Sequence, residues 1–246
     1  MPALSIRSLR KSFLLGPAHS ARRKEALSGV DLEIDEGEAV GIVGCEGAGK
    51  TTLLLCAAGL LCRDSGAVSW HGSWFEGGGI LPGVAYVPPV PTYYSFLTVR
   101  ESLEYYSNTE DIPEKRRRTL IENACARLGL SGQLSTPISE LSTDALKRVA
   151  IAQALVEEPR VMLLDSTLDG LTIGSVHARV ALGDAVAAGA TLIVTSRHAG
   201  VVAPVVTRIV VMDAGRVTGS FAAEQRVGSV FGELTPPMRH IAERMH

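Results

Sequence analysis

Short, uninterrupted apolar segments recur along the chain at Ala39 to Val43, Val161 to Asp165, Thr191 to Thr195 and Ile209 to Met212. Runs of this length, rich in β-branched residues, predict strands buried on both faces, as in a parallel sheet. Leu4 to Arg7 and Val30 to Ile34 instead alternate apolar with polar residues. That pattern predicts half-buried strands of an antiparallel edge sheet, with Gly16 to Lys24 between them as an exposed loop. Thr52 to Leu61 reads as an apolar helix. Between the first two buried strands, over Val99 to Leu128 and Asp144 to Glu158, apolar positions recur at helical spacing with charges filling the gaps, which predicts a helical insertion. Gly77 to Gly79, Pro88, Pro89 and Pro91 punctuate its entry, and Ala222 to His246 carries a weaker helical pattern.

Composition narrows the class. Hydrophobic residues make up 46% of the 246 positions and charged residues 20%, which excludes a disordered chain. The balance of 24 Lys+Arg against 26 Asp+Glu leaves a net charge of -2 and no global positive field, so no nucleic acid is expected as a partner. The run Lys115 to Arg118 reads as a solvated helix face. No apolar run reaches the roughly 18 residues that spanning a bilayer requires, and Met1 to Lys11 lacks the apolar core of a signal peptide, so a cytoplasmic chain is expected. Cys45, Cys56, Cys62 and Cys125 are too few and too irregular for a disulfide framework, and the histidines show no metal-ligand spacing.

One stretch carries specific chemistry. Gly44, Cys45, Glu46, Gly47, Ala48, Gly49, Lys50 and Thr51 match GxxxxGK[ST] in full, directly after the strand AVGIV and before the apolar helix that Thr52 opens. In such a loop the glycines let backbone N–H groups point at phosphate oxygens, the helix N-terminus adds its positive end, Lys50 reaches the β/γ-phosphates and Thr51 holds Mg²⁺. Asp165 closes the strand VMLLD, where a P-loop fold needs a carboxylate for the Mg²⁺ shell. Asn108 and Asn123 are the only asparagines and neither sits in an NKxD context, so ATP is expected over GTP, with Mg²⁺. The fold class is therefore α/β, a P-loop NTPase core of mainly parallel sheet flanked by helices, with an antiparallel β subdomain and an inserted α-helical subdomain. In one ATP-binding domain, residues 1–92 and 159–218 form the core with the β subdomain, residues 93–158 the insertion and residues 219–246 a tail.

From Leu4 to Val217 the order of these elements resembles the ATP-binding subunits of ABC transporters. Phe13 stands where that family places an adenine-stacking aromatic; the phosphate loop, the Pro88-Pro89 bend, Ser139-Glu140-Leu141-Ser142, VMLLD, TLIVT and Met212 to Val217 follow in the family's order. The resemblance implies head-to-tail pairing as a homodimer or heterodimer with another ATP-binding subunit. It also implies a membrane-spanning permease subunit, gripped by Pro91 to Leu128 with help from Tyr93, Tyr94 and Phe96, and a place on the inner face of the cell membrane.

The departures from the family bear on hydrolysis. Its LSGGQ signature reads Leu141, Ser142, Thr143, Asp144 and Ala145. A like-charge pair near 4 Å costs about 1 to 4 kcal/mol, so Asp144 is expected to weaken a partner's ATP site, although Ser142 or Asp144 also suits a helix cap. Ser166 replaces the glutamate that polarises water, a loss that costs about 10² to 10⁴ in rate. Pro89 replaces the glutamine that senses Mg²⁺ and water, Thr172 an aspartate that crosses to the partner, and Arg197 the switch histidine, with His198 one residue later. Glu46 adds a carboxylate to the phosphate loop, expected to face solvent. The resulting expectation is an ABC transporter subunit that binds ATP and hydrolyses it weakly or not at all. Two alternatives stay open: a soluble ATP-sensing or assembly subunit of an envelope complex, and a working ATPase whose catalytic groups have moved, to His198 or Asp169.

Overall fold

A computed structural model describes residues 2–16, 22–76, 79, 81–107, 112–171 and 175–223. Two sheets organise it. The first is antiparallel, with strands β1 (Pro2–Leu15), β2 (Arg22–Asp35), β4 (Ser65–Trp70) and β5 (Ser73–Phe75) in the order β2-β1-β4-β5. The second contains β3 (Ala39–Val43), β6 (Val84–Val87), β7 (Val161–Leu164), β8 (Thr191–Ser196), β9 (Arg208–Asp213) and β10 (Arg216–Ala222), in the order β10-β9-β3-β8-β7-β6. Its strands are parallel except β10, which returns antiparallel on β9.

The continuously apolar segments become the fully buried strands β3, β7 and β8 because both of their faces are covered. Val40, Ile42, Leu163 and Ile193 pack with Leu53 and Leu54 of α1 (Lys50–Ala57) and with Leu4, Ile6 and Leu9 of the antiparallel sheet. Ala39, Val43, Leu164 and Val194 face the opposite way. There they join a second core built from α2 (Val99–Tyr106), α3 (Glu114–Arg127), α4 (Thr143–Val156) and α5 (Ser175–Ala187). A single-turn α6 (Ala199–Val202) follows β8. Thr98 caps α2 in a capping box: its hydroxyl accepts from the Glu101 amide and the Glu101 carboxylate accepts from the Thr98 amide.

Several expectations need correction. Arg22 to Lys24 belong to β2, because the β1–β2 ribbon continues past the body of the sheet, with Phe13 paired to Lys24 and Leu15 to Arg22. The helix after the phosphate loop starts at Lys50 and stops at Ala57, short of Leu61; Gly59, at φ +78, turns the chain away. Ala222 ends β10 and is not helical, while residues 224–246 of the proposed tail helix lie outside the described residues. The region Val99 to Leu128 divides into α2 and α3, with residues 108–111 outside the described set.

Candidate functional site

The loop between β3 and α1 opens into a cavity of about 540 Å³. Glu46 to Thr52 form one wall, Phe13, Leu15, Lys24 and Ala26 another, and Ser166 and Arg197 a third. Its size is typical of small-ligand sites. At two of its glycines the loop backbone lies so close to its surroundings that a side chain would not fit. A Cβ on Gly44 would collide with the Met212 carbonyl oxygen, and one on Gly49, at φ +98, with that of Ala26. Ala26 is the residue skipped where the β1–β2 register shifts between Lys11 and Ser12, so this bulge presses its carbonyl against the loop.

Lys50 is 7% exposed, and its ammonium donates to the carbonyl oxygens of Gly44 at 2.6 Å and Cys45 at 2.9 Å. Burial lowers its pKa, while Asp165 and Asp169 pull it back up. Asp165 is fully buried. Its carboxylate accepts from the Thr195 hydroxyl at 2.6 Å and the Tyr86 hydroxyl at 3.3 Å, and the Thr195 hydroxyl in turn accepts from the Ser166 amide at 2.9 Å. Among the described residues no three His, Cys, Asp or Glu side chains cluster. A nucleotide carrying Mg²⁺ fits this donor set: a buried ammonium and inward glycine backbone for phosphate, and Thr51 and Asp165 for the ion.

The family model for ABC transporters matches residues 27–169, more than half of the chain. The chain belongs to the ABC transporter ATP-binding family. Among curated relatives of this cassette, the bicarbonate transport ATP-binding protein CmpC of Synechococcus elongatus is 33% identical over 182 residues, covering 72% of this chain and 27% of that protein. The methionine import ATP-binding protein MetN of Geobacillus kaustophilus is 30% identical over 227 residues, covering 89% of this chain and 64% of that protein. The chain thus spans about a quarter of CmpC and under two thirds of MetN. In fold it is similar to a bacterial ABC transporter cassette solved as a dimer, at TM-score 0.80 and 22% identity over 89% of this chain and 98% of that one. A cassette in its ADP conformation gives TM-score 0.80 and 21% identity over 99% of both chains.

The cassette brings together the phosphate loop, Phe13, Ser166 and Arg197. It leaves His198 outside the cavity lining: His198 is exposed and its amide donates to the Ser196 hydroxyl at 3.0 Å. Glu46 is exposed at the cavity rim, and Pro89 is exposed after β6. Ser166 takes a left-handed φ of 49°, uncommon for a residue with a side chain. Thr172 lies outside the described residues. Ser142 caps α4, its hydroxyl accepting from the Ala145 amide at 3.2 Å. Asp144 is paired within its own helix. Its carboxylate accepts from Arg148 Nε at 2.9 Å one turn along α4, so its charge is offset within the chain.

Sequence reasoning missed Thr195 and Tyr86, which hold the Asp165 carboxylate. The signal for both was their place at or near the ends of buried strands that flank β7. It also missed what holds Asp169, whose carboxylate accepts from the Ser196 hydroxyl at 2.5 Å and whose carbonyl accepts from Lys147 Nζ. No helix among the described residues is long and apolar enough to cross a membrane.

Proposed function

We propose that this cassette holds Mg-ATP as the ATP-binding subunit of an ABC transporter and turns the nucleotide over slowly or not at all. The observation that carries this reading is the pairing of a complete phosphate loop and buried Asp165 with Ser166, the residue that faces the cavity where a proton acceptor is needed. In it, Gly44 to Thr52 cradle the phosphates, Lys50 exchanges its loop carbonyls for phosphate oxygens, and Phe13 stacks on the base. Mg²⁺ held by Thr51 and Asp165 would supply charge neutralisation at the β- and γ-phosphates. Arg197, at the wall, adds positive charge, and its guanidinium offers N–H donors with no acceptor for a proton from water. Pro89 offers no side-chain donor or acceptor. Because Asp144 is engaged by Arg148, its penalty on a partner's site is smaller than that of an unscreened carboxylate.

A second cavity of about 340 Å³, lined by Tyr86, Pro88, Pro91, Tyr93, Tyr106 and Gln153 among others, supports docking of a permease segment on the helical insertion. Tyr94 and Phe96 stack beside it with ring centroids 5.5 Å apart and stay largely exposed. Through such a permease the cassette would sit on the inner membrane face, paired with a second cassette.

The test is calorimetry with Mg-ATP together with phosphate release, each repeated on Lys50→Ala. Micromolar binding is expected, weakened at least about tenfold in Lys50→Ala as a charge-assisted contact is lost, with release at background. Release that depends on Lys50 would overturn the weak-hydrolysis reading and turn attention to Asp169 as proton acceptor.

A further inference from the structure

Beyond Arg10, the β1–β2 ribbon that carries Phe13 is tied to the turn before β4 through the Asp64 side chain. Pairing of β1 with β4 ends at Arg10 and Ser65. Beyond that point the strand from Lys11 to Leu15 has backbone pairing with β2 alone. A two-stranded ribbon is marginal by itself, so where it points depends on what ties it to the body. Asp64, in the turn between α1 and β4, supplies that tie. Its amide donates to the Arg10 carbonyl at 2.9 Å. Its carboxylate then takes up the next donors of β1, accepting from the Ser12 amide at 2.9 Å and the Ser12 hydroxyl at 2.5 Å. The side chain thereby continues the sheet where the β4 backbone stops.

Asp64 reaches both neighbours of the ribbon's base-facing side. Arg23 of β2 donates from Nη2 to Asp64 at 3.4 Å and from Nε to the Ser12 hydroxyl at 2.8 Å, so both strands are held. Lys11 donates to Asp64 at 3.3 Å, and the same ammonium lies over the Phe13 ring, 5.5 Å from its centroid. The Lys11 side chain is 15% exposed and that of Asp64 29%, and Asp64 is held in addition by Ser12 and Arg23. One face of the Phe13 ring is therefore backed by a cation fixed through Asp64, and the ring lines the phosphate-loop cavity.

We infer that Asp64 is a positioning residue for nucleotide-base recognition: it sets where Phe13 stands over the phosphate loop without touching the nucleotide. The inference rests on the reading of Phe13 as the base-stacking residue, and it separates cleanly from phosphate binding, which the loop performs on its own elements. Loss of Asp64 should free the ribbon and release Lys11 from behind the ring, lowering affinity for ligands that have a base and sparing those that do not.

The experiment is calorimetry with Mg-ATP and with Mg-tripolyphosphate on the unmodified chain, Phe13→Ala, Asp64→Ala and Asp64→Asn. Losing a stacked base makes Phe13→Ala about tenfold weaker for ATP, and Asp64→Ala is expected to be roughly three- to tenfold weaker, both with tripolyphosphate affinity unchanged. Asp64→Asn keeps an acceptor for Ser12 but loses the Lys11 pair, so a selective loss of about two- to threefold is expected; it carries the test if Asp64→Ala does not fold. Equal loss of both ligands in the Asp64 variants would mean a general defect and overturn the positioning role. Loss in Phe13→Ala with none in either Asp64 variant would overturn it while leaving the base-stacking reading intact. No loss in Phe13→Ala would remove that reading, and the positioning role with it.

Discussion

Arg148 binds more of the cassette than its neighbour Asp144 does. It is 9% exposed, and besides Asp144 it donates to the carbonyl oxygens of Leu128 at 2.9 Å and Gly129 at 3.1 Å, closing the C-terminus of α3. Removing it takes a donor from both carbonyls at the end of α3 and from Asp144, whereas removing Asp144 leaves the guanidinium still bonded to the carbonyls. Arg148→Ala is therefore expected to lower unfolding stability by about 3 kcal/mol and Asp144→Ala by about 1 kcal/mol, measured by urea denaturation. The cysteines give a second residue-scale test. Burial pushes the thiols of Cys56 and Cys125 up to about 11, while Cys45 is half-buried in the phosphate loop and Cys62 is exposed. Maleimide at pH 8 should label Cys62 and Cys45 and spare the other two, and Mg-ATP should slow labelling at Cys45 alone, read by peptide mass spectrometry. At this scale the sequence displayed the loop, Asp165 and Ser166, but not the Asp144–Arg148 pair. An i,i+4 pair is visible in a sequence only if the helix start is known to the residue, and here Ser142 or Asp144 suited the cap equally well.

Among the elements, α4 starts at a side-chain cap. Its N-terminal turn rests on the Ser142 hydroxyl, and Ser142→Ala should cost about 1 kcal/mol in stability by thermal or urea unfolding. Elements buried on both faces were legible because a short, uninterrupted, β-branched apolar run suits little besides a strand covered on both sides: β3, β7, β8 and β9 all fall where the pattern put them. Strands with less burial were not. β5 and β10 are exposed or half-exposed along most of their length, β6 is a four-residue run beside prolines, and β1 beyond Arg10 is exposed on both sides, Phe13, Leu14 and Leu15 included. Alternation encodes one dry face and one wet face, and a ribbon with two wet faces has no alternation to show. The apolar run after Lys50 likewise concealed its own end, since only the left-handed Gly59 distinguishes the α1 terminus from the residues that follow.

Across the whole molecule, Arg208 joins the two sheets. From the first residue of β9 it donates to the Glu38 carboxylate at 2.6 and 2.9 Å and to the Glu33 carbonyl of β2 at 2.7 Å. Burial raises the Glu38 pKa, but bonds from Arg208 and from the Asp35 amide outweigh it, and the net shift is downward. A carboxylate with a depressed folded pKa stabilises the fold in full above its ordinary value of 4.5, and that contribution fades as pH falls through the lower folded value. Glu38→Gln should therefore cost about 1 kcal/mol at neutral pH and show a shallower loss of stability on acidification, followed by urea denaturation across that range.

The strand that launches the phosphate loop is flanked by β8 and β9, whose residues 191–196 and 208–213 lie far along the chain from β3 at 39–43. During synthesis the loop's own sequence emerges early and must wait for both neighbours, with parallel pairings this distant among the slowest to form. A ribosome that has not yet delivered β9 carries a nascent chain in which Gly44 lacks the Met212 carbonyl packed against it. The phosphate-loop cavity is thus completed only once residue 213 has emerged, and a nucleotide that binds only the finished cavity would stabilise chains that have already assembled their central sheet.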